Sequence, residues 1–168
     1  MPTEPRWLNR REDRAWRAFK RASYLLDVRL SRHLLQDSRL TQADYEVLAV
    51  LSEHSTDHMP ARELCAMLTW EKSRLSHQVR HLQQQGLVTR EPNPADGRSS
   101  IIRLLPAGRR AIADAAPQHV DNVRRDFIGL FTPAELDMLT ALHERVLRHL
   151  DDEPAPARSA PEEPALPR

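Results

Sequence analysis

The sequence predicts a mainly α-helical fold carrying one small β-hairpin, and three observations lead there. Apolar residues recur at three- and four-residue spacing over most of the 168-residue chain. Val, Ile and Thr gather in short runs on either side of one Pro- and Gly-bearing loop, at residues 87–91 and 99–105. The four glycines, Gly86, Gly97, Gly108 and Gly129, are scattered, which excludes a Gly-rich phosphate loop because such loops need clustered glycines for close backbone approach.

The first element is a long helix over Glu12 to Ser38, free of proline and glycine, with Trp16, Phe19, Ser23, Leu26, Leu30 and Leu34 on one stripe. A stripe this long exceeds what a small three-helix core can cover. It packs either on long helices of a second subunit or within an intramolecular bundle. Ahead of it, Trp7 and its arginines form either an extra helix or a frayed end. Thr41 then reads as an N-cap with Asp44 reaching back to it. Tyr45, Leu48 and Leu51 face inward on a short helix ending near His54. Ser55-Thr56-Asp57 is a turn, and Pro60 is placed to open the next helix, where its missing donor costs nothing. Leu64, Cys65 and Leu68 form that helix's buried side, and Leu68-Thr69-Trp70 turns into a fourth helix.

The fourth helix and the hairpin hold the most information. Leu75, Val79 and Leu82 mark a buried stripe, and the other face carries Lys72, Ser73, Arg74, Ser76, His77 and Arg80 with no acid after Glu71. Gly86 closes the helix in a left-handed conformation. Pro92 and Pro94 stiffen the loop, and Asp96-Gly97 is a turn dipeptide that holds Arg98 near the tip. A polar, basic helix followed by an arginine-tipped hairpin fits a winged helix-turn-helix on duplex DNA. The helix has the diameter for the major groove, and the arginine suits the narrow minor groove beside it. Taken alone, the same residues also fit a solvated helix face and an ordinary hairpin.

Pro106 opens a fifth, long helix at its first position; Ile112, Ala115, Ala116, Val120, Val123, Phe127 and Leu130 line it, and Pro117 should bend it. Thr132, Pro133 and Glu135 are a start signal for a sixth helix bearing Leu136, Leu139, Leu142, Val146 and Leu150. From Asp151 the chain is Pro, Ala, Glu and Arg with little to bury, which reads as disorder. The expected organisation is therefore 1–40, an N-terminal dimerisation helix; 41–105, the winged unit; 106–152, C-terminal dimerisation helices; and 153–168, a disordered tail.

The net charge is +1, so any nucleic-acid affinity must come from clustering. Lys72, Arg74, Arg80, Arg90, Arg98 and Arg103 stand against only Glu71, Glu91 and Asp96. One cysteine excludes an internal disulfide, and no apolar run approaches the ~20 residues of a membrane span. The start lacks the apolar run of a signal peptide. A cytoplasmic protein is expected. No catalytic constellation, cofactor motif or convergent metal-ligand set stands out, so a non-enzyme is expected, with no cofactor.

With Leu40-Thr41 before the second helix, Gly86-Leu87-Val88-Thr89-Arg90 after the fourth, Asp96-Gly97-Arg98 in the loop and Leu104 to Gly108 opening the fifth, the chain resembles the MarR (multiple antibiotic resistance regulator) family over residues 12 to 150. Residues 69–77 look like an actinobacterial-type recognition helix. The resemblance implies a homodimer held by the first and the two last helices, a pseudo-palindromic operator, and repression relieved by a small-molecule effector. It places Ser73, Arg74, Ser76, His77 and Arg80 toward the major groove, beside Lys72, and Arg98 in the minor groove with Asp96 orienting it. Pro60 stands where family members often carry a small polar cap. Two recognition helices must then sit about 34 Å apart to read both half-sites.

The space between Trp16, Phe19 and Tyr45 is the candidate effector pocket, although plain core residues would look the same. Cys65 reads as an inert thiol rather than a redox sensor; peroxide sensors of the family carry theirs in the first helix, which has none here. His54 and His58 lack a matching second pair for zinc. The rival function is a winged-helix protein-interaction module without sequence-specific DNA binding. Such a module should lack the pairing of basic helix and wing arginine, and this chain keeps both.

Overall fold

The structure, a computed structural model, describes residues 5–94, 96 and 99–152. The expected disordered tail, along with Gly97 and Arg98, lies outside the described residues. The chain divides into two compact units, one ending at Phe127 and the other beginning at Ile128.

In the first unit the order is α1 (Arg10–Ser38), α2 (Gln42–Glu53), β1 (His58–Pro60), α3 (Ala61–Leu68), α4 (Lys72–Gln84), β2 (Val88–Pro92), β3 (Ser100–Leu104) and α5 (Pro106–Asp126). Helix α1 starts two residues earlier than expected. The Asn9 side chain accepts from the Arg11 and Glu12 amides while the Glu12 carboxylate accepts from the Asn9 amide, so Glu12 is the third helical residue. The expected Thr41–Asp44 box at α2 is present in both directions.

The sequence reading missed β1. His58, Met59 and Pro60 pair antiparallel with Arg103, Ile102 and Ile101, giving a three-stranded sheet in the order β1-β3-β2. Pro60 therefore ends an edge strand and serves as the N-cap of α3, not its first helical residue. An edge strand tolerates a proline because its outer side needs no donor. Three residues are too few to show a two-residue alternation.

Two left-handed closures aim α4. After α3, Thr69 adopts φ 54° and the Trp70 amide donates back to the Cys65 carbonyl. After α4, Gly86 adopts φ 69°; its amide donates to the Gln83 carbonyl and that of Leu87 to the Leu82 carbonyl, a Schellman closure. Between these closures Leu75, Val79 and Leu82 sink into a core shared with Leu48, Leu51 and Ile102. Helix α5 begins with Pro106 as expected and continues through Pro117. It presses on the hairpin at Gly108, where an added Cβ would lie 2.2 Å from the Leu87 carbonyl oxygen.

Helix α5 runs antiparallel to α1. The Asn122 side chain, 2% exposed, donates to Asp37, while Arg29 and His33 of α1 approach Asp126. Trp16 and Phe19, toward the other end of α1, are half exposed. In the second unit, a 3-10 turn (Ile128–Leu130) leads to α6 (Pro133–Asp152), opened by the expected Thr132–Glu135 box. No residue of α6 is buried, and Leu142, Val146 and Leu150 lie exposed.

Gly108→Ala should destabilise the chain by about 1–3 kcal/mol, because the new methyl meets backbone that cannot yield. Gly86→Ala should cost about 1 kcal/mol through its left-handed conformation alone, since nothing lies within 4 Å. Urea melts of the two variants check the ranking. A second expectation concerns His119, whose Nδ1 is buried with no hydrogen-bond partner among the described residues and whose ring packs tilted against Tyr45, centroids 4.4 Å apart. Burial pushes its pKa below the ordinary histidine value. The unfolded chain then takes up a proton that the folded chain refuses, so stability falls as the pH drops through about 6.5. His119→Phe should flatten the decline in Tm between about pH 7 and 5; an unchanged slope would assign it to other groups.

Candidate nucleic-acid interface

Helix α4 has three distinct sides. Leu75, Val79 and Leu82 are no more than 3% exposed. Lys72, Ser73, Arg74, His77 and Arg80 are exposed, while Ser76 is half-buried toward the hairpin. No acidic residue occurs between Lys72 and Gln84, so the outward face presents cations and short hydrogen-bonding groups without internal neutralisation. The Arg74 guanidinium lies 4.0 Å over the Trp70 ring. That cation–π contact fixes the side chain while leaving its N–H edge in solvent.

The hairpin rises beside this helix. Its neck is closed by the Asn93 amide donating to the Ser99 carbonyl at 3.3 Å, the Ser99 amide donating to the Asp96 carbonyl at 2.9 Å, and the Asn93 side chain donating to the Ser99 hydroxyl at 2.8 Å. Asp96 is exposed on the loop. Arg98, the expected tip residue, is outside the described residues.

A cleft of about 720 Å³ opens between α3, α4 and the hairpin. Lys72 and Ser76 line it from α4, Arg90, Asp96 and Ser100 from the hairpin, and Arg62 from α3. Arg90 is held in place by its Nε donating to the Ser100 hydroxyl at 3.0 Å. Arg62 and Arg90 are the cations that the sequence reading did not place at a site. For Arg90 the signal was present: in β2 it shares a face with buried Val88, so strand alternation turns it toward α4. For Arg62 no local pattern marks it out.

The same alternation removes Arg103 from the expected basic surplus. It faces away from Ile102 and Leu104, and its guanidinium makes a two-pronged bond to Glu91 at 3.0 and 3.1 Å, with His58 Nδ1 3.2 Å away. Hydrogen bonding from Arg103 holds the Glu91 carboxyl below the usual range.

The expected effector pocket is not assembled in the single chain. Trp16 and Phe19 pack on each other with ring centroids 6.0 Å apart, whereas Tyr45 is half-buried against His119. At about 1.5 Å of rise per residue, Trp16 sits some 27 Å along α1 from Leu34, the buried end of that helix. Cys65 lines the cleft, and burial, then the Glu71 carboxylate, push its thiol above the ordinary value. It is thus protonated at neutral pH and a poor nucleophile. His54 Nδ1 pairs with the Thr56 hydroxyl and His58 Nδ1 with the Thr56 carbonyl.

A family model described as MarR family matches residues 40–99. AbsC, a MarR family transcriptional regulator from Streptomyces coelicolor, superposes with a TM-score of 0.84 at 36% identity, over 89% of this chain and 100% of that one. This chain belongs to the MarR family. A second MarR family regulator from Streptomyces coelicolor, solved in complex with DNA, gives 0.85 at 32% identity, over 93% of this chain and 97% of its own. The HTH-type transcriptional regulator PecS of Dickeya dadantii is 29% identical over 77% of this chain and 78% of its length. The MarR assignment makes the chain a transcriptional regulator of winged-helix fold and not an enzyme. No helix of the described residues is long and apolar enough to cross a membrane.

Proposed function

We propose that this MarR-family chain is a ligand-responsive repressor that binds a pseudo-palindromic operator as a homodimer. Helix α4 enters the major groove with Lys72, Ser73, Arg74, Ser76, His77 and Arg80. The hairpin reaches the adjacent minor groove with Arg98, oriented by Asp96. The observation that carries the reading is the placement of α4's acid-free outward face beside a cleft lined by three cations, Lys72, Arg62 and Arg90, against two acids, Glu71 and Asp96. A helix in one groove and a hairpin in the next must straddle a sugar-phosphate strand, and cations in the cleft between them suit it. The relative solved in complex with DNA supports this use of the fold.

Residues 41–105 form the DNA-binding unit in this proposal. Residues 1–40 and 106–152 hold the dimer, with the half-exposed Trp16 and Phe19 of α1 and the apolar side chains of α6 as covered surface. The protein works in the cytoplasm, where its DNA is. A small-molecule effector acts by binding one spacing of the two recognition helices better than another, since only differential affinity can shift that equilibrium.

Selection of bound duplexes from a random-sequence pool tests the proposal directly. A well-folded chain that selects nothing would move the function to a protein-interaction module. On the selected duplex, Arg74→Ala and Arg80→Ala should each cost about 1–3 kcal/mol if they read bases; equal losses on scrambled DNA would reassign them to phosphates. Arg98→Ala should weaken binding and reduce the slope of log affinity against log salt by up to about 0.9 for each of the dimer's two hairpins. An unchanged salt series would take the hairpin out of the contact. Light scattering at micromolar concentration should give twice the chain mass; a monomer would remove the half-site geometry.

A further inference from the structure

Asp44 is a buried acid that the proposed DNA contacts do not use. It is 1% exposed and opens α2, yet it serves two elements with its two oxygens. Oδ2 accepts from the Thr41 amide at 2.9 Å and from the Thr41 hydroxyl at 2.6 Å, which closes the cap of α2. Oδ1 faces α4 instead: it accepts from Gln78 Nε2, and His81 Nε2 lies 3.8 Å away. Helix α2 in turn packs on α1 and α5.

The helical repeat shows why this bond matters. At 3.6 residues per turn, Gln78 and His81 fall on one flank of the Leu75–Val79–Leu82 stripe, and Lys72 and Ser76 on the other. Ser73, His77 and Arg80 lie between the flanks on the outward side. Apolar burial holds α4 down, but it is non-directional and fixes rotation about the helix axis only weakly. A hydrogen bond on one flank fixes that rotation. A roll of about 15° would move a side-chain tip some 6 Å from the axis by roughly 1.5 Å. Recognition geometry tolerates about 0.5 Å.

Resting on the DNA-binding reading above, we propose that Asp44 is a positioning residue, acting through Gln78 to set the roll of α4 and hence its sequence discrimination, without touching DNA. Its loss would spare the cations that supply non-specific affinity. It would misplace the groups that compare one base pair with another.

The test uses the full-length chain, the duplex that the unmodified chain selects from a random pool, and a scrambled duplex of equal length and composition. Gln78→Leu removes the donor with little change in bulk, and Gln78→Asn, one carbon shorter, serves if the first variant fails to fold. The ratio of selected to scrambled affinity should fall about tenfold or more, while affinity for the scrambled duplex stays within about twofold. The exchange Asp44→Asn with Gln78→Glu keeps the Thr41 cap, restores the bond with donor and acceptor reversed, and should recover the ratio. Without DNA, hydrogen exchange of the α4 amides should quicken in Gln78→Leu while α2 keeps its protection. An unchanged ratio, equal losses on both duplexes, failure of the exchanged pair to recover discrimination, or unchanged α4 exchange would overturn the assignment. If the unmodified chain selects no duplex, the DNA-binding reading falls and takes this assignment with it; unchanged α4 exchange overturns the positioning role by itself.

Discussion

The structure depends first on the seating of α4. Leu75, Val79 and Leu82 must lie in the core, with α4 packed on α2, α3 and β2, for the helix to turn its polar face outward. Each neighbour contributes one restraint of a different kind. The α3–α4 turn fixes the entry through left-handed Thr69. The Gly86 closure sends the chain straight into β2. The close approach of Gly108 to the Leu87 carbonyl locks α5 to the same corner. Together they set a short helix, which would be marginal alone, at a defined angle to the hairpin.

Charge is distributed on the same plan. The chain is nearly neutral overall, so a basic surface exists only where acids are kept elsewhere. Glu91 is engaged by Arg103 on the far face of the sheet, and Asp44 is buried beneath α4. These two acids thus act as structural partners, whereas Glu71 and Asp96 line the cleft itself. Lys72 of α4, with Arg62 and Arg90, borders the open cleft, while Arg74 and Arg80 lie exposed on the helix. A local field of this sort supplies affinity that falls steeply with salt, while the fixed geometry of the helix supplies discrimination.

The long helices follow another logic. In α1 burial increases toward the C-terminal end, from half-exposed Trp16 and Phe19 to Leu34 at 3%. In α6 no side chain is buried, although Leu142, Val146 and Leu150 keep helical spacing. Apolar stripes of that length on a MarR-family regulator call for a second copy, in line with the proposed homodimer. The proposed effector surface would then be a property of the pair, which fits the absence of a joint Trp16, Phe19 and Tyr45 pocket in one chain.

What the sequence determined by itself was everything written in local chemistry. The helical stripes, the Thr41–Asp44 and Thr132–Glu135 caps, the start of α5 at Pro106 and the end of α4 at Gly86 all follow from spacing and backbone preference within a few residues. Tertiary structure alone decided whatever depends on partners distant in the chain. Strand β1 exists because β3 offers it an edge 45 residues away, at Arg103 opposite His58. Arg103 left the basic surface because Glu91 and His58 meet it across the sheet, and Arg62 joined the cleft because α3 turns back against α4. The bond from Gln78 to Asp44 spans 34 residues and could not be read from either helix. Sequence periodicity tells which side of an element is buried, but only packing tells what that side meets.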